Sequence, residues 1–249
     1  MRLQIMFDHS HFTDRHQSLE LRCVFDMGSG STKFIMFLYN KDSSQILAYS
    51  PPVTKLMPYQ KYIDSTPHKL ITEDGELMGC SSIEQILHSH TGSLIPEIDI
   101  KIRGIATAWA RNASNAKEYI DNLYKTYNIK IDIITQEEEG ILGFKSVIST
   151  QNITPEESRE KMIVWDIGGG SYQLNHKTSE GEIKGYNGPY GSENFRHEIR
   201  SNFFQIDDDS GPLLNLPQTS CALYHATTLL SPLIEYSAQN PIFTNATTS

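Results

Sequence analysis

The chain has 249 residues, of which 38% are hydrophobic and 20% charged, a composition that excludes a disordered or fibrous protein. Its length suits two compact domains. The formal net charge of −9 argues against a nucleic-acid partner, because such binding depends on clustered Lys and Arg side chains. A small anionic substrate is compatible with this charge, since a phosphate site needs only backbone N–H groups, a few cations and a metal ion.

The cysteines and the apolar segments bear on the cellular compartment. Cys23, Cys80 and Cys221 are far apart and show no CxxC spacing, so neither a disulfide framework nor a zinc site is predicted. The apolar start at residues 1–7 is too short for a signal peptide, and no run approaches the roughly 18 apolar residues of a membrane span. We therefore expect a cytoplasmic protein without a membrane partner.

The first part of the chain is predicted to form strands around a Gly/Ser turn. Residues 1–20 lack periodicity and are predicted to be a flexible leader. From Leu21 the pattern indicates a strand, a tight turn, a buried strand over Phe34–Tyr39 and a third strand over Gln45–Tyr49. Residues 51–79 contain four prolines and are predicted to be mostly loop.

The middle of the chain alternates helices and strands. Apolar spacing predicts the elements in the order helix Ser82–His90, strand Lys101–Ala106, helix Ser114–Tyr127, strand Ile129–Ile134 and helix Glu137–Ile148. Acidic residues crowd the first turn of the last helix, where the helix dipole favours them. The predicted N-terminal domain therefore spans residues 21–148.

The chain then repeats its opening pattern. After a polar linker, the predicted elements are strand Met162–Asp166, a Gly turn, strand Tyr172–Leu174, a hairpin near Glu182–Tyr186, helix Ser192–Phe203 and helix Thr219–Tyr236. Residues 149–239 are predicted to be a second domain and residues 240–249 a tail. No prediction of the oligomeric state follows.

The two turns share one form: an apolar strand, Asp, an apolar residue, Gly-x-Gly-Ser and a second strand. Equivalent positions are 166 − 26 = 140 residues apart. Glycines at such a turn allow successive N–H groups to point at an anion, and serine adds a hydroxyl donor. The predicted phosphate ligands are Gly28, Ser29, Gly30, Ser31, Gly168, Gly169, Gly170 and Ser171.

The Asp that ends each first strand, Asp26 or Asp166, is predicted to hold a hydrated Mg²⁺ or another divalent cation, because such cations prefer oxygen ligands and bridge to phosphate. Two such units on facing domains would clamp a polyphosphate together with its metal ion.

Four segments resemble the exopolyphosphatase/guanosine pentaphosphate phosphatase (Ppx/GppA) family of the actin-like (ASKHA) superfamily. They are Asp26–Ser31, Ala106–Ala113, Ile134–Gly140 and Asp166–Ser171, in the order that the family has. The resemblance covers roughly residues 21–200 and implies an α/β fold of two RNase H-like (actin-like ATPase) domains with a cleft between them. It also implies metal-assisted hydrolysis of polyphosphate or a guanosine polyphosphate.

The resemblance also implies roles for individual residues. The general base of the family falls on Glu139, and a phosphate-binding Arg falls on Arg111. Physical reasoning agrees, because a carboxylate beside a bound phosphate can activate a water, and a guanidinium suits phosphate oxygens. The alternatives are a solvated acidic helix start for Glu139 and a surface ion pair for Arg111.

The chain departs from the Ppx/GppA pattern at several positions. Gly30 replaces the usual Asn, and Ser171-Tyr172-Gln173 replaces the usual Ser-Thr-Glu. Gly140 and Gln173 are similar to the corresponding residues of apyrases. If the chain is apyrase-like, the resemblance implies that Ser171 and the catalytic residue Gln173 hold the attacking water. The motif spacing and the modest length favour the Ppx/GppA interpretation. Because family members continue with further strands and this chain has no glycine after position 211, the second domain is predicted to be shortened.

Three functional classes follow from these observations. The favoured one is a phosphohydrolase acting on polyphosphate or guanosine pentaphosphate, with nucleoside triphosphates as an alternative substrate. The second is a phosphate-binding module that has lost turnover, which Gln173 and the shortened second domain suggest. A sugar or acyl kinase of the same superfamily is the third.

Overall fold

The computed structural model describes residues 18–91, 99–150, 162–205 and 216–239. The chain divides into two compact units, Met1–Ile134 and Thr135–Ser249. The predicted tail and residues 1–17 of the predicted leader lie outside the described residues. In the described ranges, no helix is both long and apolar enough to cross a membrane.

The first unit is built on a six-stranded mixed sheet. Its strands are β1 (Leu19–Met27), β2 (Ser31–Asn40), β3 (Gln45–Tyr49), β4 (Val53–Leu56), β5 (Asp99–Ala106) and β6 (Lys130–Ile133). The order is β3-β2-β1-β5-β6, and β4 also pairs with β2. Strand β1 runs antiparallel to β2 and parallel to β5, which in turn runs parallel to β6.

Four helices accompany this sheet: α1 (Tyr59–Asp64), α2 (Glu73–Thr91), α3 (Ala108–Asn112) and α4 (Ala116–Tyr127). Helix α4 ends at Asn128, whose left-handed backbone (φ 54°) closes its last turn. The buried apolar residues of α2, α3 and α4 pack with those of the sheet in one cluster. The first unit therefore has its own hydrophobic core.

Three aromatic rings form the centre of this core. Trp109 is fully buried, stacks on Tyr59 at 4.3 Å between ring centroids, and meets the edge of Tyr119 at 6.0 Å. A Cβ on Gly79 of α2 would overlap the Tyr119 hydroxyl, so only glycine fits there. Burial raises the pKa of Tyr59 to about 12 and also raises the pKa of Tyr119, so both stay neutral.

The second unit contains a three-stranded antiparallel sheet in the order β7-β8-β9. Its elements are α5 (Gln136–Thr150), β7 (Ile163–Ile167), β8 (Tyr172–Lys177), β9 (Ile183–Gly188), α6 (Ser192–His197), α7 (Leu216–Leu229) and α8 (Ser231–Gln239). A π-helical turn over Glu198–Phe203 continues α6. In the first sheet, β1 pairs with β2 along one edge and with β5 along the other. In the second sheet, β7 pairs with β8 along one edge, and within the described residues no strand pairs with its other edge.

Helix α5 packs against all three strands of the second sheet. The predicted domain boundary after residue 148 therefore differs from the structural division between Ile134 and Thr135. Helical periodicity identified α5 as an element but carries no information about which sheet its buried face contacts. The buried residues Gly140 and Phe144 lie on that face.

Two regions differ from their predicted secondary structure. The predicted loop at residues 51–79 contains β4, α1 and the start of α2, and its prolines mark where elements begin: Pro52 precedes β4 and Pro58 precedes α1. The single helix predicted near Thr219–Tyr236 is two helices, α7 and α8. Pro232 lies in the first turn of α8, where a proline without its N–H group is tolerated but would break a continuous helix.

Candidate active site

The two Gly/Ser loops have the same backbone geometry. In the first loop the Gly28 N–H donates to the Ser31 carbonyl oxygen at 2.9 Å, and in the second the Gly168 N–H donates to the Ser171 oxygen at 2.9 Å. The strands that follow pair in the same register, with Met27 opposite Thr32 and Ile167 opposite Tyr172. The sequence repeat is therefore a structural repeat, and the predicted strand–turn–strand is confirmed in both units.

The first residue of each loop is a glycine because there is little room for a side chain. A Cβ built on Gly28 would lie 3.2 Å from the Ser31 oxygen, and one on Gly168 would lie 3.2 Å from the Ser171 oxygen. Such a contact is tighter than ordinary van der Waals packing, so glycine closes the turn without strain.

In each unit the loop carbonyls accept hydrogen bonds from the first turn of a short helix. The Gln60 N–H in α1 donates to the Ser29 oxygen at 3.1 Å, and the Glu193 N–H in α6 donates to the Gly169 oxygen at 2.9 Å. The described residues contain no cis peptide bond, so the N–H groups of Gly30 and Gly170 point away from the helices that their neighbouring carbonyls face. Each loop therefore has an amide that these helices leave available, as an anion-binding turn requires.

A buried hydroxyl in the first loop supports ligand binding. Ser29 is 3% exposed, and its Oγ has no hydrogen-bond partner within the described part of the chain. A buried polar atom without a partner is unfavourable by about 1–3 kcal/mol, and such atoms often mark a position that a ligand or water fills.

Two of the predicted motifs meet at the carboxyl ends of the parallel strands β1 and β5. Met27 and Ala106 pair in register at these ends. The indole N–H of Trp109 donates to the Met27 carbonyl oxygen at 2.7 Å, directly before Gly28. Ligands of open α/β sheets bind at this edge, so the first loop and α3 lie where a substrate is expected.

Arg111 lies in the last turn of α3 and is half-buried. Its Nη1 donates to the carbonyl oxygen of Ile134 at 3.0 Å, just beyond β6. This bond orients the guanidinium at the same edge of the sheet as the first loop. The structure thus places Arg111 at the end of the first sheet where Asp26 and the first loop also lie.

Lys33 is a candidate residue that sequence reasoning missed. It lies opposite Asp26 in the β1–β2 pairing, and its Nζ is 3.5 Å from Asp26 Oδ2. The matching residue of the second unit is Gln173, opposite Asp166. The common offset of seven residues from each Asp would have revealed Lys33 as a cation beside the first loop.

Gln173 and Ser171 form a buried polar pair in the second unit. The Gln173 Nε2 donates to the Ser171 Oγ at 3.1 Å, and the two residues are 1% and 4% exposed. This contact fixes the Ser171 hydroxyl at the end of the second loop. The departure from the Ppx/GppA pattern at position 173 therefore replaces a carboxylate with a neutral amide that holds a loop residue.

The three consecutive glutamates at the start of α5 have different environments. Glu138 completes a capping box with Thr135: its Oε2 accepts from the Thr135 N–H at 2.8 Å, and the Thr135 Oγ1 accepts from the Glu138 N–H at 3.1 Å. Glu137 is exposed, whereas Glu139 is half-buried. Glu138 is exposed as well, so a solvated acidic helix start describes Glu137 and Glu138, whereas Glu139 is the half-buried member of the three.

We expect Glu138→Ala to lower the melting temperature, and Glu138→Gln to retain part of the stability because an amide oxygen also accepts the cap bonds. The hydrogen bonds from Thr135 lower the pKa of Glu138 below its ordinary value of 4.5. The stabilisation is therefore complete above that value and is lost as the pH falls through the lowered pKa. Thermal denaturation between pH 7 and pH 3, with exposed Glu137→Ala as the matched control, measures it. Equal shifts in both variants would contradict the capping role.

Glu139 lies three residues after Gln136, which holds the start of α5 to the second sheet. The Gln136 Nε2 donates to the carbonyl oxygens of Gly188 at 2.8 Å and Tyr172 at 3.2 Å, on strands β9 and β8. Tyr172 immediately follows Ser171 of the second loop. The start of α5 is therefore attached directly to the strand that leaves this loop, so Glu139, Asp166, Gln173 and the second loop belong to one unit.

The chain also matches a known protein family in sequence. Residues 62–206, more than half of the chain, match the sequence model of the Ppx/GppA phosphatase family. The chain belongs to the Ppx/GppA phosphatase family. The resemblance inferred from the four sequence motifs is thereby confirmed.

Individual relatives are more distant. The chain is 25% identical over 166 residues to a bifunctional 3-dehydroquinate synthase/phosphatase of Fusobacterium nucleatum, covering 65% of this chain and 24% of the relative. It is 28% identical over 137 residues to retrograde regulation protein 2 of Saccharomyces cerevisiae, covering 50% and 22%. The chain thus spans about a quarter of the length of these curated relatives.

A crystal structure of an exopolyphosphatase from Cytophaga hutchinsonii superposes with a TM-score of 0.59 at 18% identity, covering 87% of this chain and 62% of that one. This likeness confirms the predicted α/β fold.

Within its own unit, each loop has one carboxylate nearby, Asp26 or Asp166, of the type that Mg²⁺ uses when it has few protein ligands. In the described ranges, no three His, Cys, Asp or Glu side chains cluster as a metal site. Mg²⁺ usually binds one or two carboxylates and takes its other ligands from water and phosphate. Asp26 is partly exposed and Asp166 is exposed, and each is the last residue but one of the strand before its loop. The oxygen-only donor set and the buried Ser29 hydroxyl suit such an ion.

The second unit also contains a cavity of about 570 Å³ between α5, β8, β9 and α8. Its lining includes Glu137, Ile141, Asn175, Lys184 and Tyr236, and Glu139 and the second loop are not among the lining residues. The cavity is therefore separate from the candidate active-site residues.

Proposed function

We propose that this chain is a phosphohydrolase that cleaves the terminal phosphoanhydride of inorganic polyphosphate or guanosine pentaphosphate. Membership of the Ppx/GppA phosphatase family supports this reaction class. The observation that carries the proposal is the attachment of the Glu139 helix to the strands β8 and β9 beside the second loop, through Gln136. This attachment supports the proposal that the Glu139 carboxylate is held at a fixed position relative to the second loop.

In the proposed reaction Glu139 accepts a proton from a water molecule, whose oxygen attacks the terminal phosphorus. The bond from that phosphorus to the bridging oxygen breaks, and the shortened phosphate chain leaves with this oxygen. Proton removal by a positioned carboxylate and in-line attack are the ordinary elements of phosphoryl transfer. Gln173 and Ser171, which are hydrogen-bonded to each other, orient the water or the terminal phosphate.

The amides of the second loop are proposed to bind phosphate oxygens, as are those of the first loop in its own unit. Arg111 and Lys33 add positive charge beside the first loop, where Lys33 lies 3.5 Å from Asp26. A guanidinium binds two phosphate oxygens at once, whereas a lysine acts as a point charge.

A divalent cation, with Mg²⁺ as the leading candidate, is proposed as the cofactor, and Asp26 and Asp166 are its proposed ligands. When bound, such an ion neutralises phosphate charge and polarises the phosphoryl group. The chain's own residues bind the phosphate and remove the proton from water.

The test is phosphate release from polyphosphate, guanosine pentaphosphate and ATP by the full chain, with Mg²⁺ and with excess chelator. We expect release from polyphosphate or guanosine pentaphosphate that depends on the metal. Preference for ATP would favour the apyrase-like alternative, which the Ser171–Gln173 hydrogen bond and Gly140 suggest. Binding of any of these ligands without release would instead indicate a phosphate-binding module that has lost turnover.

A further inference from the structure

An asparagine next to the proposed base is enclosed between two glycines. Asn175 of β8 is 4% exposed. A Cβ built on Gly140 of α5 would lie 2.6 Å from its Nδ2 and 2.8 Å from its Oδ1. On the other side, Gly185 of β9 pairs with Asn175 in register, and a Cβ there would lie 2.4 Å from the same Oδ1.

The two glycines therefore make the space that the Asn175 amide fills. Contacts under 3.0 Å between a Cβ and a heavy atom do not occur in stable structures, so a side chain at position 140 would have to displace either the amide or the helix. The amide is buried and lies between Gly140 on one side and Gly185 on the other. If the amide keeps this position, α5 is the element that is displaced.

Position 140 follows Glu139 directly in the first turn of α5. The depth at which Gly140 approaches the sheet therefore sets the position of the neighbouring carboxylate. Gln136 attaches the start of the helix to β9 and β8 through its bonds to Gly188 and Tyr172. The Asn175 amide determines how closely the following residues of the helix approach the sheet. A shift of about 1 Å in a catalytic group reduces turnover by as much as about 10²-fold.

We propose that Asn175 is a positioning residue, which acts through its contact with Gly140 to set the distance of Glu139 from the second loop. This inference rests on the proposed role of Glu139 as the base. It explains why glycine follows the glutamate in a chain that has Asn at position 175.

The Asn175 amide is also poorly satisfied. Its Nδ2 is buried and has no hydrogen-bond partner within the described residues. An unsatisfied buried amide lowers stability, so an apolar side chain in its place would be expected on packing grounds alone. For the Nδ2 group the structure therefore shows a steric contact with Gly140 and no hydrogen bond.

The experiment is a double-mutant cycle of Gly140→Ala, Asn175→Ala and the combined variant, with melting temperature, kcat and KM measured for each. We expect Gly140→Ala to lower the melting temperature and to reduce kcat by about 10²-fold with KM nearly unchanged, because the base moves while the phosphate loops do not. The combined variant recovers most of both losses, because the new methyl group occupies the space of the removed amide.

A matched control is Gly143→Ala, one turn further along α5. Its Cβ would lie 3.4 Å from Asp166 Oδ2, which is an ordinary contact, so the melting temperature should be unchanged or raised. An unaltered kcat in Gly140→Ala, a rise in KM instead of a fall in kcat, or a combined variant no better than Gly140→Ala would overturn the proposal.

The melting temperature tests the Asn175–Gly140 contact, whereas kcat tests the proposed function, so the two measurements can fail separately. If the wild-type chain released no phosphate, the hydrolase proposal would fail and Asn175 would lose its catalytic role. Recovery of the melting temperature in the combined variant would still support the Asn175–Gly140 contact itself.

Discussion

Glu139→Gln should abolish turnover while leaving the fold and ligand binding intact. The amide has nearly the same shape as the carboxylate but accepts no proton, so the water is no longer activated. Loss of a positioned general base reduces rates by about 10²–10⁴-fold. Steady-state phosphate release measures kcat, single-turnover release measures the chemical step, and calorimetry of the variant with unhydrolysed ligand measures binding.

The matched control for this prediction is Glu137→Gln, two residues earlier in the same acidic run. Glu137 is exposed, so the exchange removes the same charge from the same helix turn without touching the proposed base. If both variants lost turnover equally, the effect would arise from the acidic helix start as a whole. If Glu139→Gln kept wild-type kcat, another group would be the base.

Trp109→Ala should destabilise the first unit by about 3–5 kcal/mol, the usual effect of removing a fully buried large aromatic side chain. The ring stacks on Tyr59, and its N–H is bonded to the Met27 carbonyl oxygen next to the first loop. The variant therefore loses both core packing and a support of the loop. Guanidinium denaturation followed by circular dichroism gives the free energy of unfolding.

Trp109→Phe separates these two contributions. A phenyl ring keeps most of the stacking but cannot donate to Met27, so the loss should be about 0.5–1.5 kcal/mol. The chain has two tryptophans, and the other, Trp165, is 57% exposed in the second unit. Tryptophan fluorescence of Trp109→Phe then reports on the second unit alone. Equal losses for the two substitutions would contradict the packing role.

Features that depend on neighbouring residues were predictable from the sequence. The Gly-x-Gly-Ser segments at the 140-residue offset correctly indicated two identical turns, because the turn is closed by a bond within the loop, from Gly28 to Ser31 and from Gly168 to Ser171. The alternation of apolar residues also located most strands and helices. Local patterns suffice where the stabilising contacts are local.

Features that depend on distant contacts were not predictable. The short helix α1 lies in a proline-containing stretch without clear periodicity, and its first turn donates to Ser29 of the first loop, 31 residues earlier. The assignment of α5 to the second unit depends on Gln136 and Gly140 meeting strands that come later in the chain. Neither contact leaves a pattern within one segment, so only the tertiary structure reveals them.

The loop carbonyls that accept bonds from α1 and α6 have a consequence for the thermodynamics of ligand binding. Because the Ser29 and Gly169 carbonyls are already engaged, the peptide planes are oriented before any phosphate arrives. The entropy of ordering this backbone is lost during folding and not during association. Phosphate binding should therefore show a small entropic penalty from the backbone, and the amide dipoles need little reorientation as charge develops on the phosphoryl oxygens.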